Sequence, residues 1–185
     1  MTLMRSTLAF LLFTLMWSPQ ALADQSDPRL DRLFLQLAKA TTPPEAQGVE
    51  KEIQSLWSLS GSDTVDVLMT RVQLSLQAQD AITAKRLLDV VTEMRPNYAE
   101  VWYERGVLLV AVNSAQEALP DLLRAIDLEP RQYQALVLAG KIAEDSGDKR
   151  TALDRYRKAV VINPQLEATR RKIAALAAEL EGKDI

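Results

Sequence analysis

Apolar residues between positions 65 and 166 recur with helical spacing in paired segments. In the central pair, Trp102, Gly106 and Leu109 fall on one face of a first segment. After a polar turn, Ala118 and Leu122 begin a stripe with the spacing of an amphipathic helix. A proline ends each pair, and proline disfavours helical geometry in the residue before it. The pattern therefore predicts successive helical hairpins.

The pairs repeat with a period of 34 residues, over 65–98, 99–132 and 133–166. The columns in register include Pro96, Pro130 and Pro164; Ala84, Ala118 and Ala152; Val72, Gly106 and Gly140; and Leu88, Leu122 and Tyr156. A fixed period of this size is the signature of architectures that stack one unit on the next. The sequence thus predicts an all-α fold, an α-solenoid of stacked helical hairpins.

The central repeat resembles the tetratricopeptide repeat (TPR), whose pattern is W-x2-L-G-x2-Y, then A-x3-F, then P. Trp102, Gly106, Ala118 and Pro130 occupy matching positions, and Leu122 replaces the aromatic residue. The third repeat matches at fewer positions, and the first matches least. The resemblance implies three TPR units.

Three residues depart from a simple repeat pattern. Arg71 and Arg105 replace the leucine of the motif, and a charge in a partly packed column needs a carboxylate partner or a route to solvent. Pro120 falls inside the predicted second helix of the central repeat, where it removes a backbone hydrogen bond. We therefore expect that helix to begin later or to kink.

Further helical patterns flank the three repeats. Residues 24–64 contain two apolar stripes but lack the alanine and proline landmarks, so we interpret them as a degenerate repeat, a hairpin that seals the first full one. Residues 167–185 predict a lone helix with Gly182 as its stop signal. This helix resembles the capping helix that closes TPR arrays, as stacked repeats require.

The first 23 residues have the three zones of a secretory signal peptide. Arg5 precedes an apolar core at 8–17, and Ala-Leu-Ala follows at 21–23. The core is shorter than the ~20 residues of a spanning helix, so we expect cleavage after Ala23, with a retained anchor as the alternative. An exported chain without cysteines or glycosylation sequons is predicted to be bacterial and periplasmic, with secretion from a eukaryotic cell as the alternative. The chain resembles the small exported TPR proteins of proteobacteria.

The composition disfavours catalysis. The chain has no histidine and no cysteine, which removes thiol and histidine-dependent catalysis and most zinc and copper sites. A net charge of -3 argues against a nucleic-acid partner. Asp145 and Asp148 flank a Ser-Gly pair that faintly resembles a calcium loop, but a turn with Asp148 as N-cap explains it. We therefore expect no enzyme activity, no metal and no cofactor.

The TPR resemblance implies a partner-binding groove, because the first helices of stacked repeats line the concave face. The expected groove residues are Met69, Thr70, Gln73, Glu100, Tyr103, Glu104, Val107, Val137, Leu138 and Lys141. Tyr103 is the predicted anchor, whereas Glu100 and Glu104 are expected to lie on an open face and merely repel. The places of the family's carboxylate clamp lack its Lys, Asn and Arg, so binding of a C-terminal chaperone tail is not expected.

The function that these features favour is a non-catalytic interaction scaffold or adaptor. Its implied partner is a protein or peptide, in particular a basic amphipathic segment. The alternative is a cell-envelope enzyme accessory or a ligand-binding protein acting on cell-wall or lipid components, which would need a convergent polar cluster. The basic residues between 155 and 172 are interpreted as a solvated face, with an acidic protein, anionic lipid or acidic polymer as alternative partners.

Overall fold

The computed structural model of this protein describes residues 25–182. The predicted signal peptide lies outside this range. Within it the chain forms nine α-helices and no strands: α1 (Arg29–Lys39), α2 (Pro43–Trp57), α3 (Asp63–Gln77), α4 (Ala81–Met94), α5 (Ala99–Ala111), α6 (Ala115–Leu128), α7 (Tyr133–Asp145), α8 (Lys149–Ile162) and α9 (Glu167–Glu181). Helices α3 to α9 pack each on the next along the chain. The predicted all-α fold of stacked hairpins is confirmed.

The turns inside the three repeats share one backbone feature. Gln79, Asn113 and Gly147 are 34 residues apart, and each has a positive φ, of 57°, 62° and 84° respectively. Such a residue ends one helix and allows the chain to reverse. The next residue opens the second helix, and Asp148 does so as an N-cap whose carboxylate accepts from the Thr151 amide at 3.1 Å. The segment 145–148 is thus an interhelical turn.

Small residues lie where the two helices of a hairpin touch. A Cβ added to Gly106 would lie 2.7 Å from Leu122 Cδ2, and one added to Gly140 would lie 2.8 Å from Tyr156 Cε1. Both distances are shorter than a van der Waals contact, so these helices approach closely only because the side chain is absent. Ala118 is fully buried at the same interface.

The departures from the repeat pattern have individual explanations. The Arg105 guanidinium donates to both carboxylate oxygens of Asp121, at 2.6 and 2.7 Å, and stacks over the Trp102 ring. Arg71 is exposed to solvent instead. Pro120 lies inside α6, which begins at Ala115 and continues through it, so the helix does not start late.

The N-terminal hairpin, α1 and α2, does not continue the stack ahead of α3. The sequence predicts that it seals the first full repeat, whereas its apolar stripe packs against Tyr133, Leu136 and Ala159 of the third repeat. Helix α1 also lies against α8. The hairpin lies outside the 34-residue register. Its stripe of bulky residues such as Phe34 and Trp57 therefore requires burial but does not specify the surface that provides it.

The hairpin spans the loops that join the repeats. Its bonds to three successive loops are Tyr98 Oη to the Trp57 carbonyl (2.7 Å), Arg131 Nη1 to Asp31 Oδ1 (2.7 Å) and Gln165 Nε2 to the Ala40 carbonyl (2.8 Å). At the other end, α9 packs on α8 and ends before Gly182. No helix between residues 25 and 182 combines the length and apolar character needed to cross a bilayer.

Candidate functional site

The first helices of the three repeats line two adjoining clefts that share Tyr103. The polar cleft, of about 600 Å³, includes Met69, Thr70, Gln73, Glu100, Tyr103 and Glu104. The apolar cleft, of about 390 Å³, includes Tyr103, Val107, Val137, Leu138 and Lys141. The structure therefore brings all ten predicted groove residues to these two clefts. Their role in binding a partner stays a prediction.

The polar cleft is acidic. Asp66, Glu100 and Glu104 line it, and no lysine or arginine is among its described lining residues. The carboxylate of Asp66 is held by the backbone N–H and the hydroxyl of Ser60, at 2.9 and 2.6 Å. Met69, which is 8% exposed, also lines the cleft and is apolar. A positively charged side chain beside an aliphatic stem suits such a cleft electrostatically.

Glu100 lies beneath the N-terminal hairpin and is only 3% exposed. Gln54 of α2 donates to its Oε1 at 2.5 Å, and Gln132 donates to its Oε2 at 2.9 Å. Burial, reinforced by the nearby Glu104 carboxylate, raises the pKa of Glu100 to about 7, although the two amides oppose the shift. The expectation of an open face on which two glutamates merely repel is therefore wrong, because α2 covers Glu100.

Burial also raises the pKa values of two other groove residues, Tyr103 and Glu104. Burial raises the pKa of Glu104, and a hydrogen bond from Gln73 partly opposes this. Burial and the neighbouring carboxylates raise the pKa of Tyr103 as well. Tyr103 is half-buried and keeps its phenolic proton at neutral pH, so its hydroxyl is available as a hydrogen-bond donor.

The apolar cleft has aliphatic walls and few polar groups. Tyr133 and Leu166 join the predicted residues Val107, Val137 and Leu138 there. At its rim, Lys141 pairs with Asp145 at 2.5 Å. The Oε1 atom of Gln134 is buried without a hydrogen-bond partner among the described residues. An unmade buried hydrogen bond costs free energy, so a donor entering this cleft would gain one.

Sequence reasoning missed four lining residues that lie outside the periodic first helices. Gln54 reaches the polar cleft from α2, Ser58 and Leu59 reach it from the segment after α2, and Leu166 reaches the apolar cleft from the loop before α9. The 34-residue period carries no signal for Gln54, because the hairpin lies outside the repeat register. Leu166 could have been found, since it follows Pro164 at the end of the third repeat.

No protein-family model matches this chain. A TPR repeat-containing protein of Rhizobium etli is 29% identical over 154 residues, which cover 83% of this chain and 76% of that protein. The crystal structure of MamA protein matches with a TM-score of 0.59 and 18% identity, covering 64% of each chain. The TPR2B domain of yeast Sti1, in complex with pHsp70, matches with a TM-score of 0.55 and 17% identity, covering 66% of this chain and 99% of that one.

The similar solved structures indicate the fold, and the sequence similarity to the Rhizobium protein indicates homology. Both agree with the columns of glycine, alanine and proline that the sequence repeats every 34 residues. The chain is thus a homologue of a TPR repeat-containing protein, and its all-α solenoid has the fold of TPR domains.

Proposed function

We propose that this protein is a non-catalytic adaptor that binds a segment of a partner protein along the polar and apolar clefts. TPR folds typically mediate protein–protein interactions, and the Sti1 domain similar to this chain is in complex with pHsp70. The observation that carries the proposal is the position of Tyr103, which lines both clefts. A half-buried tyrosine at the centre of a groove is a typical interface anchor.

The chemistry of the two clefts specifies the segment. Asp66 and Glu104 favour a lysine or arginine in the polar cleft, and Val107, Val137 and Leu138 favour an aliphatic or aromatic side chain in the apolar cleft. The proposed partner segment is therefore amphipathic and basic. Its backbone amide is a suitable donor for the unpaired Gln134 carbonyl.

The proposed location is the periplasm, after removal of the signal peptide. The support is the order of Arg5, the apolar core at 8–17 and Ala-Leu-Ala at 21–23. N-terminal sequencing of the protein from its native host should read Asp24-Gln25-Ser26. A cytosolic chain that still begins at Met1 would contradict the proposal.

A role in envelope catalysis or ligand chemistry would depend on Glu100, since burial raises the pKa of this groove carboxyl to about 7. Both of its oxygens already accept hydrogen bonds, from Gln54 and Gln132, and α2 covers them. The geometry therefore favours a structural link between the hairpin and the groove over acid–base chemistry.

The binding proposal is tested with the partner that parent protein captures from a membrane-plus-periplasm extract. Titrations should compare the parent, Tyr103→Ala and Glu104→Gln. We expect Tyr103→Ala to weaken binding by about 2 kcal/mol or more, since anchor residues carry most of the affinity. Glu104→Gln removes a charge at constant shape and should weaken binding less, mainly at low salt.

The matched control is Val112→Ala, an exposed aliphatic change at the end of α5 that lines neither cleft. Thermal melts of all the variants separate lost binding from lost folding. If Tyr103→Ala binds like the parent, the groove is not the binding site.

A further inference from the structure

A third cleft lies between α6 and α8 and shares no lining residue with the two clefts of the groove. It has a volume of about 760 Å³, and we call it the outer cleft. Its residues include Ile126, Leu136 and Ile162, which are buried or half-buried. Leu123 and Val161 also line it and are 38% and 76% exposed. The cleft therefore presents apolar side chains to solvent from two neighbouring helices.

Basic side chains border this apolar surface. Arg157 and Lys158 are exposed there, and Arg157 makes no ion pair with any described residue. Lys158 pairs with the equally exposed Asp154 at 2.8 Å, a contact of little net stability. Arg155 is anchored inward by a bond to the Ala139 carbonyl at 2.9 Å. An occupant with carboxylates would therefore find Arg157 and Lys158 available.

The protein already docks one amphipathic helix beside this cleft. Phe34 on the apolar stripe of α1 belongs to the same packed cluster as Leu136, with Ile126 and Ile162 packed against that cluster. On the polar side of the same helix, Asp31 pairs with Arg131 at 2.7 Å. An apolar stripe with an adjacent carboxylate thus fits the continuous surface of which the outer cleft is the uncovered part.

We propose that the outer cleft binds an amphipathic helix of a partner protein that carries carboxylates beside its apolar stripe. The apolar side chains would cover Leu123 and Val161, and the carboxylates would pair with Arg157 and Lys158. A concave surface between two helices suits a helix packed into the groove between them. A flat lipid surface would leave the floor of the cleft unfilled. This site is separate from the groove that holds Tyr103.

The probe is a fluorescent peptide of residues 27–40 carrying Arg29→Glu, Arg32→Glu and Lys39→Glu, which keeps the apolar stripe of α1. The control peptide carries lysine at positions 29, 31, 32 and 39. Anisotropy titrations use the full chain and four variants: Val161→Asn, a double charge reversal at Arg157 and Lys158, Arg131→Ala, and Val90→Asn. Val90 is 44% exposed on α4, outside the cleft, and serves as the matched control.

We expect saturable binding of the acidic peptide, weakened at least about fivefold by Val161→Asn and by the charge reversal but unchanged by Val90→Asn. The lysine peptide should bind at least about fivefold more weakly than the acidic one. Circular dichroism melts verify that each variant is folded.

Several outcomes would overturn the proposal. If the acidic peptide shows no saturable binding, or binds the parent and Val161→Asn equally well, the outer cleft is not its binding site. If only Arg131→Ala abolishes peptide binding, the peptide binds where α1 docks. If the parent binds no peptide but binds phosphatidylglycerol vesicles, and the charge-reversal variant does not bind them, the basic residues at the rim contact a membrane. A concentration-dependent dimer abolished by Val161→Asn assigns the cleft to a second copy of the chain.

Discussion

Gln54 of α2 donates a hydrogen bond to Glu100 of α5, across 46 residues of sequence, and so fastens the N-terminal hairpin over one end of the groove. Gln132 holds the other carboxylate oxygen from the loop before α7. One buried acid therefore joins the hairpin, the second repeat and the third. Its ionisation is linked to the stability of all three.

The first prediction concerns this acid and pH. The pKa of Glu100 is about 7 in the folded protein against an ordinary value of 4.5, so the folded state binds the proton more tightly than the unfolded state. The stabilisation due to the proton is fully present below about pH 4.5 and is lost as pH rises through about 7. The free energy of unfolding of the parent, relative to Glu100→Gln, should fall over that window by up to about 3 kcal/mol.

Urea unfolding between pH 4.5 and 8 measures this difference. Glu104 titrates in both proteins, so its contribution cancels to first order. Glu93→Gln, at an exposed site on α4, is the control and should give a curve parallel to the parent. Parallel curves for parent and Glu100→Gln would show that Glu100 does not titrate differently on folding.

The second prediction concerns the close helix contacts. Gly140→Ala should lower the free energy of unfolding by about 1–3 kcal/mol, because the new methyl group would meet the buried ring of Tyr156. Gly106→Ala should cost a similar amount, since its methyl group would lie 2.7 Å from Cδ2 and 2.8 Å from Cγ of Leu122, a side chain that is fully buried. Gly48→Ala has open space around it in α2 and should stabilise by up to about 1 kcal/mol. Equal effects at all three sites would contradict this account.

The third prediction concerns the positive-φ residues in the turns of the repeats, Gln79, Asn113 and Gly147. Gln79 has a φ of 57°, in the left-handed region where glycine is unstrained. Gln79→Gly should therefore raise the free energy of unfolding by up to about 1 kcal/mol, and Gly147→Gln should lower it by a similar amount. Chemical denaturation of both variants tests the pair. A destabilising Gln79→Gly would mean that the glutamine side chain contributes more than its backbone strain costs.

The fourth prediction concerns Arg105. Asp121 is 5% exposed and accepts the two shortest hydrogen bonds of the arginine, at 2.6 and 2.7 Å. Asp121→Ala leaves the half-buried guanidinium with its longer bonds to Asp89 Oδ1 at 3.2 Å and Thr92 Oγ1 at 3.1 Å. We expect a loss of about 1–3 kcal/mol of stability. Asp154→Ala removes an exposed ion pair with Lys158 and should cost no more than about 0.5 kcal/mol. Comparable losses in the two variants would contradict the burial argument.

The fifth prediction concerns the docking of α1. Arg131 pairs with Asp31 and with the buried Glu129, and it lies over the Phe34 ring at 4.6 Å. Arg131→Ala should therefore accelerate amide hydrogen exchange in α1 by about tenfold or more, while α5 and α6 exchange as in the parent. Arg157→Ala, at an exposed arginine of α8, is the control. Unchanged exchange in α1 would show that its apolar stripe alone fixes its position.

The sequence predicts a contact well when the two residues are close along the chain. Gly106 contacts Leu122 and Gly140 contacts Tyr156 on the adjacent helix, and the repeated columns indicate both contacts. The acid that pairs with Arg105 at the shortest distances, Asp121, lies on the next helix, but no repeated column contains it, so this pairing could not be predicted. Burial of Glu100 could not be predicted, because the covering residue comes from outside the repeat register.

The sequence by itself determined the repeat register and the all-α class, because each repeat contacts mainly its neighbours and local periodicity specifies its helices. The resemblance to TPR repeats, rather than the periodicity, implied the ten residues expected on the concave face. Only the tertiary structure decided where the N-terminal hairpin docks. Its bonds span separations from 41 residues, for Tyr98 and Trp57, to 125, for Gln165 and Ala40. The hairpin's non-repeating stripe of bulky residues specifies burial but not which surface provides it.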